Sequence, residues 1–151
     1  MSIKLVVIIQ CEVARRRCSG FACMKCFYDR EGFFEECGYG PDTRYIAFDC
    51  GGCCGGSVAS HLEHLSNKLR AQTDVKKDEV AVHLASCVTT DNYHHDRCPN
   101  LEYIKAIVLK KGYKNIAYGT FKSTNATKKR AEGLYKDHEM ETFCDCEAES
   151  R

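Results

Sequence analysis

Two nearly continuous runs of apolar, mostly β-branched residues, at residues 3–9 and 80–85, constrain the fold of this chain most strongly. Strands that are buried on both faces of a parallel sheet have this composition, whereas a strand with one solvated face alternates. Two shorter apolar runs, at residues 45–48 and 115–118, have the same character. We therefore expect a mostly parallel sheet of about four strands.

Segments with helical periodicity separate these runs. One helix-like segment begins at Pro99 and ends at Lys110-Lys111-Gly112, and another covers residues 24–36. Alternation of strands and helices predicts a three-layer α/β domain with helices on both faces of the sheet. The clearest apolar stripe recurs at spacings of three and four residues: Val58, Leu62, Leu65 and Leu69.

Composition and charge restrict the function. We expect a single domain over residues 1–151, with a core at about 3–120 and a polar C-terminal segment at 121–151. The 22 basic and 21 acidic residues nearly balance, which argues against a nucleic-acid partner. The apolar run at residues 5–9 is too short for a membrane span or a signal peptide, so we expect a cytoplasmic protein. Twelve cysteines in such a protein indicate metal binding or thiol chemistry.

The segment Cys50-Gly51-Gly52-Cys53-Cys54-Gly55-Gly56 joins the strand at residues 45–48 to a predicted helix. Glycines let backbone N–H groups approach a ligand closely, and a helix N-terminus adds partial positive charge. A thiolate or an anionic metal–sulfur centre is stabilised in such a place. We therefore expect Gly51 and Gly52 to contact a cofactor.

Cysteines also follow the other predicted strands. Cys11 lies two residues past the first strand, Cys50 ends the second, and Cys87 follows the third. The carboxyl ends of parallel strands meet at one edge, where open α/β sheets bind their ligands. The loop keeps Cys53 at this edge, and Cys98 can reach it from the start of the Pro99 helix. The cysteines predicted to share a site are therefore Cys11, Cys50, Cys53 and Cys87.

A second group consists of Cys18, Cys23 and Cys26. Cys23-x-x-Cys26 is the spacing at which one turn presents two sulfurs to one metal, and Cys18 and Cys23 flank the turn at Gly20. The alternative is that one of the sulfurs simply packs inward from adjacent helix turns.

The histidines give a weaker signal. The segment His94-His95-Asp96-Arg97-Cys98 has a spacing that is compatible with a metal ligand. His83 lies inside a predicted strand, where a hydrogen-bonded core histidine is the more common reading.

Taken in order, these motifs resemble the CGGC domain family, small prokaryotic proteins that are described as metal binders. The resemblance covers residues 3–120, and two positions depart from it: Cys54 replaces the usual proline, and Phe121 replaces a histidine that often follows Gly-Thr. The features that carry the resemblance are Cys11, Arg17-Cys18-Ser19-Gly20, Cys23, Cys50-Gly51-Gly52-Cys53, His83-Leu84-Ala85-Ser86-Cys87, Cys98-Pro99 and Gly119-Thr120.

The family resemblance implies a metal, and thiolate-rich sites select zinc, Cu(I) or iron–sulfur clusters. We favour an iron–sulfur cluster over Zn²⁺, because the thiols exceed the four that one zinc needs. The expected role is electron transfer, redox sensing or metal and cluster handling, with a redox partner protein. The expected metal ligands are Cys11, Cys18, Cys23, Cys50, Cys53, Cys87 and Cys98.

Two enzymatic alternatives remain open, so catalysis is undecided. Cys50 and Cys53 at a helix start are also typical of a dithiol redox enzyme. Cys11-x5-Arg17 after the first strand is similar to the phosphate loop of low-molecular-weight tyrosine phosphatases and arsenate reductases. That loop needs converging N–H groups and positive charge, whereas this one contains Glu12 and no glycine.

Overall fold

The computed structural model describes residues 2–91 and 95–143 and contains a five-stranded sheet with the strand order β2-β1-β3-β4-β5. The first four strands pair in parallel, and the short fifth strand pairs antiparallel to β4. The predicted mostly parallel sheet is therefore confirmed. The strands are β1 (Leu5–Gln10), β2 (Arg44–Asp49), β3 (Val80–Leu84), β4 (Asn115–Tyr118) and β5 (Thr142–Phe143).

Six α-helices connect and cover the strands of the described part of the chain. The two helices predicted from Val58 and from Pro99 are present, as α3 and α5. None of the helices in this part combines the length and the apolar character that crossing a membrane requires. The helices are α1 (Glu12–Arg15), α2 (Phe21–Asp29), α3 (Gly56–Gln72), α4 (Ser86–Thr89), α5 (Leu101–Lys110) and α6 (Thr124–Ala131).

Two hydrophobic clusters lie on opposite faces of the sheet, which confirms the three-layer arrangement. On one face, side chains such as Val7 and Val82 pack against α3 and α5. On the other face, Val6 and Ile8 pack against Phe27 of α2. Successive strand residues thus contribute to alternate clusters, as the pleat requires. Both clusters consist largely of apolar side chains, as a buried sheet core requires.

The single helix predicted over residues 24–36 is wrong in its extent. It ends at Asp29, because Arg30 adopts a left-handed conformation with φ +54° and closes the last turn. The Arg30 guanidinium donates to the carbonyl oxygens of Phe27 and Gly40, which stabilises this stop. A turn of 3₁₀ helix follows at Gly32–Phe34.

The polar C-terminal segment packs against the sheet domain. The amide of Tyr118 donates to the Glu141 carbonyl oxygen at 2.9 Å where β5 joins β4. Asp96 accepts hydrogen bonds from Lys136 Nζ at 2.8 Å and from His138 Nε2 at 3.0 Å. These contacts hold the segment that precedes α5 in place.

The buried His83 provides a test of the core. Its side chain is fully buried, its Nδ1 bonds the Gly119 carbonyl oxygen at 2.8 Å, and its Nε2 lies 2.7 Å from the Tyr39 hydroxyl. The core-histidine reading is confirmed. Burial lowers the pKa of His83 from 6.5 to about 4.

Because the unfolded chain binds a proton on His83 below about pH 6.5 and the folded chain does so only near pH 4, the free energy of unfolding should fall by about 3 kcal/mol over this window. His83→Gln keeps a donor and an acceptor but does not titrate, so it should lack this loss. Urea unfolding of both proteins from pH 7 to pH 4 measures the difference. Parallel pH profiles would contradict this account.

Candidate metal centre

The strand order creates one position where neighbouring connections diverge, between β1 and β3. Ligands of open α/β folds bind at this position, outside the carboxyl ends of the strands. Cys11 follows β1, and Cys87 lies in α4 directly after β3. The Cys11 amide donates to Cys87 Sγ at 3.1 Å, across 76 residues of sequence. The fold thus brings two of the predicted ligand residues into direct contact.

His95 is also part of this edge. Its Nε2 lies 3.2 Å from Cys11 Sγ, and its Nδ1 lies 2.7 Å from the Asp96 carbonyl oxygen. Spacing alone marked His95 only as compatible with a metal ligand. His95 and Cys11 are 84 positions apart in the sequence, and nothing in the sequence signals their contact. The neighbouring His94 lies outside the described residues.

The loop after β2 adds Cys50 and Cys53. Cys50 is buried, its amide donates to the Gln10 carbonyl oxygen at 2.9 Å, and its thiol donates to the Gly52 carbonyl oxygen at 3.4 Å. Cys53 is exposed. The Asn100 side-chain amide donates to the Cys53 carbonyl oxygen, which ties this loop to the start of α5.

The same contact region includes Cys98. Its amide donates to the Val88 carbonyl oxygen at 2.9 Å, which connects it to α4. Burial raises the pKa of Cys98, and negative charge on Cys11, Cys50 or Cys53 would raise it further. The pKa of Cys11 is raised for the same reasons, burial first and then the Cys50 and Cys53 charges. The pKa of Cys98 and the pKa of Cys11 are thus both sensitive to charge on Cys50 and Cys53.

The second cysteine group meets the first at Cys87. Burial raises the pKa of Cys87 to about 12, with smaller contributions from the charges of Cys23, Cys11 and Cys18. Cys87 packs against the hydrophobic clusters on both faces of the sheet. Cys23 Sγ lies 3.2 Å from the Thr120 hydroxyl, and the exposed Cys18 accepts from the Gly20 amide at 3.4 Å.

Four further cysteines, Cys26, Cys37, Cys144 and Cys146, are not among the predicted metal ligands. Cys26 is a buried residue of α2, and the Cys37 thiol donates to the Phe33 carbonyl oxygen at 3.2 Å. Cys144 and Cys146 lie outside the described residues. The ten described cysteines are free thiols. Within residues 2–91 and 95–143, no three Cys, His, Asp or Glu side chains stand close enough together to hold a metal ion.

Gly51 and Gly52 differ in what they face. Both have left-handed backbone conformations, with φ +73° and +111°. A Cβ at Gly51 would lie 2.0 Å from Ser57 Oγ, whereas a Cβ at Gly52 would meet no atom within 4 Å. Gly51 therefore permits close packing of the loop on α3, and Gly52 presents an open backbone surface.

The fold defines a cysteine-rich α/β domain in which Cys11 and Cys87 meet at the carboxyl ends of a parallel sheet. The chain belongs to the CGGC domain family, whose model matches residues 5–121. The resemblance predicted from the sequence is confirmed, and the abundance of cysteines is compatible with a metal-binding role. No curated protein and no solved structure is similar enough to this chain to match significantly.

Alanine substitutions test the two glycine roles. Gly51→Ala should lower the free energy of unfolding by more than about 3 kcal/mol, because it adds a clash with Ser57 to left-handed strain. Gly52→Ala should cost only about 1–2 kcal/mol, from the left-handed conformation alone. Gly40→Ala is the control, since its φ is not positive and its Cβ has open space. Denaturant unfolding that gives equal losses for the first two variants would refute the difference.

Proposed function

We propose that this protein binds a metal centre through cysteine thiolates at the carboxyl edge of the parallel sheet, and that the centre is an iron–sulfur cluster rather than a single zinc ion. The observation that carries the proposal is the contact between the Cys11 amide and Cys87 Sγ at the position where the sheet connections diverge. The candidate ligands are Cys11, Cys18, Cys23, Cys50, Cys53, Cys87 and Cys98.

The protonation of these thiols supports a metal-binding role over nucleophilic catalysis. The raised pKa values of Cys11, Cys87 and Cys98 keep their thiols protonated at neutral pH. A protonated thiol is a poor nucleophile, whereas a bound metal displaces the proton and keeps the thiolate. The same argument disfavours the phosphatase or arsenate-reductase alternative, because Cys11 would be its nucleophile and Arg17 is exposed to solvent.

The local structure also weighs against the dithiol alternative. Activation of a thiolate by a helix requires free N–H groups at its first turn. At the start of α3, the Ser57 amide donates to the Cys50 carbonyl oxygen at 3.1 Å, and the Val58 amide donates to the Gly55 carbonyl oxygen at 3.1 Å. These donors therefore satisfy loop carbonyls rather than a sulfur atom.

The fold favours a cluster over a structural zinc, because its sheet and helices already bury two hydrophobic clusters and leave a structural zinc less to stabilise. A zinc site and an iron–sulfur cluster each take about four cysteines, so seven candidate sulfurs could serve one cluster and nearly a second. A bound cluster would supply one-electron redox chemistry. Cys53 and Cys18 are exposed, so a centre that they help to hold would lie near the surface. That position supports electron transfer, redox sensing or cluster handling with a redox partner protein.

Anaerobic purification followed by metal analysis tests the proposal. The protein should be brown, with broad absorbance near roughly 400 nm from sulfur-to-iron charge transfer. Cys87→Ser and Cys53→Ser should lose most of the metal, and their melting temperatures should fall because bound metal stabilises the folded state by mass action.

Cys26 and Cys54, which are not candidate ligands, supply matched controls. Cys26→Ser changes a buried thiol and Cys54→Ser an exposed one, and both should keep the metal. Partial loss in Cys18→Ser or Cys23→Ser would indicate two centres, and complete loss would indicate one centre that uses both groups. Stoichiometric zinc in a colourless protein would reject the cluster. Unchanged metal in both Cys53→Ser and Cys87→Ser would overturn the site, and a metal-free protein with a readily cycling disulfide would favour the dithiol enzyme.

A further inference from the structure

A cavity of about 420 Å³ opens on the α2 side of the sheet edge, between α1, α2 and α6. Small-molecule sites commonly have volumes of roughly 300–1,000 Å³. The family match ends at residue 121, whereas the wall that α6 contributes lies beyond that point. The cavity is therefore built partly from residues that the family model does not cover.

Three cations line the cavity, and no acidic side chain of the described chain does. Arg15 donates to the Cys18 carbonyl oxygen at 3.0 Å, Arg130 donates to the Asp91 carbonyl oxygen at 2.8 Å, and Lys129 donates to the Tyr135 hydroxyl at 3.4 Å. All three side chains are half-buried. In the part of the chain that is described, none of them forms an ion pair with a carboxylate.

Three cations without an acidic neighbour are unusual in this chain, because its 22 basic and 21 acidic residues nearly balance. Partly buried cations lose hydration and repel one another unless an anion accompanies them. Each of the three cations has a neutral oxygen partner, which leaves donors free for a bound anion.

A buried amide provides an independent sign of a ligand. Gln10 at the end of β1 lines the cavity and is 3% exposed, and its Oε1 has no hydrogen-bond partner in the described structure. A buried acceptor without a partner costs free energy, so rotation of the Gln10 amide toward a donor group in the cavity would be favourable. Phe121 and Ala126 add apolar surface, which suits a carbon skeleton rather than an inorganic ion.

We propose that this cavity binds a small organic acid, with its carboxylate or phosphate group between Arg15, Lys129 and Arg130 and a hydroxyl or amino group donating to Gln10 Oε1. The ligand would lie beside Cys87 and Cys23, next to the proposed metal centre. The proposal does not depend on that centre, because its binding groups are not sulfur ligands.

Calorimetric titration of the full chain with L-malate, glycerol 3-phosphate and succinate tests the proposal. Malate and glycerol 3-phosphate carry an acid group and a hydroxyl, whereas succinate lacks the hydroxyl. At least one of the first two should bind at millimolar concentration and more tightly than succinate. The tighter of the two identifies the preferred acid group. Binding should weaken as salt is added.

Matched variants locate the site. Lys129→Met should weaken binding at least about tenfold, as the loss of a charge-assisted hydrogen bond predicts. Lys128→Met removes the same charge from an exposed neighbour in α6 and should have little effect. Gln10→Leu should remove the few-fold preference for the hydroxy acid over succinate.

The metal bound per chain should be equal in all these variants, since none changes a cysteine, and this separates the result from that of the cysteine experiment. If Lys128→Met and Lys129→Met weakened acid binding equally, the binding would depend on general surface charge rather than on the cavity, and the proposal would be overturned. Absence of binding by all three acids would also overturn it. So would loss of metal in Lys129→Met without any acid binding, because the cations would then serve a metal–thiolate centre.

Discussion

The parallel pairing of β1 with both β2 and β3 is the constraint on which the rest of the structure depends. Each residue of β1 from Leu5 to Ile9 is aligned with a residue in both neighbouring strands. This alignment ends all three strands at the same level, so that the residues that follow them must share one edge. Cysteines separated by tens of residues become neighbours for this reason and not through local sequence.

Burial of that edge determines what its thiols can do. Water stabilises a thiolate, whereas packing against the sheet clusters disfavours it and raises the pKa of Cys87 to about 12. A thiol with a raised pKa is a weaker nucleophile at neutral pH, since the thiolate is the reactive form. The exposed Cys53 gives the same edge an accessible rim, so one region combines protected and solvent-facing sulfur.

The sheet could be predicted because its information is local. Apolar runs identify the four parallel strands, and the cysteines that follow three of these runs then lie at a known edge. Other features depend on contacts between distant segments. The stop at Arg30 requires carbonyl oxygens as far along the chain as Gly40, and His95 reaches Cys11 only through the fold.

The C-terminal segment shows the same limit. Its composition is polar, so α6 offers no strong apolar periodicity, and β5 has only two residues. From the sequence alone, Lys129 and Arg130 are therefore expected to be charged side chains exposed to solvent. Their position against Gln10 is visible only when α6 packs beside the end of β1.

X-ray absorption at the metal edge of anaerobically purified protein tests the central claim most directly. The account predicts iron with a first shell of about four sulfur neighbours near 2.3 Å, the distance typical of metal–thiolate bonds, and a second shell of iron. A first shell made only of oxygen and nitrogen atoms would contradict the claim that cysteine thiolates at the sheet edge hold the metal.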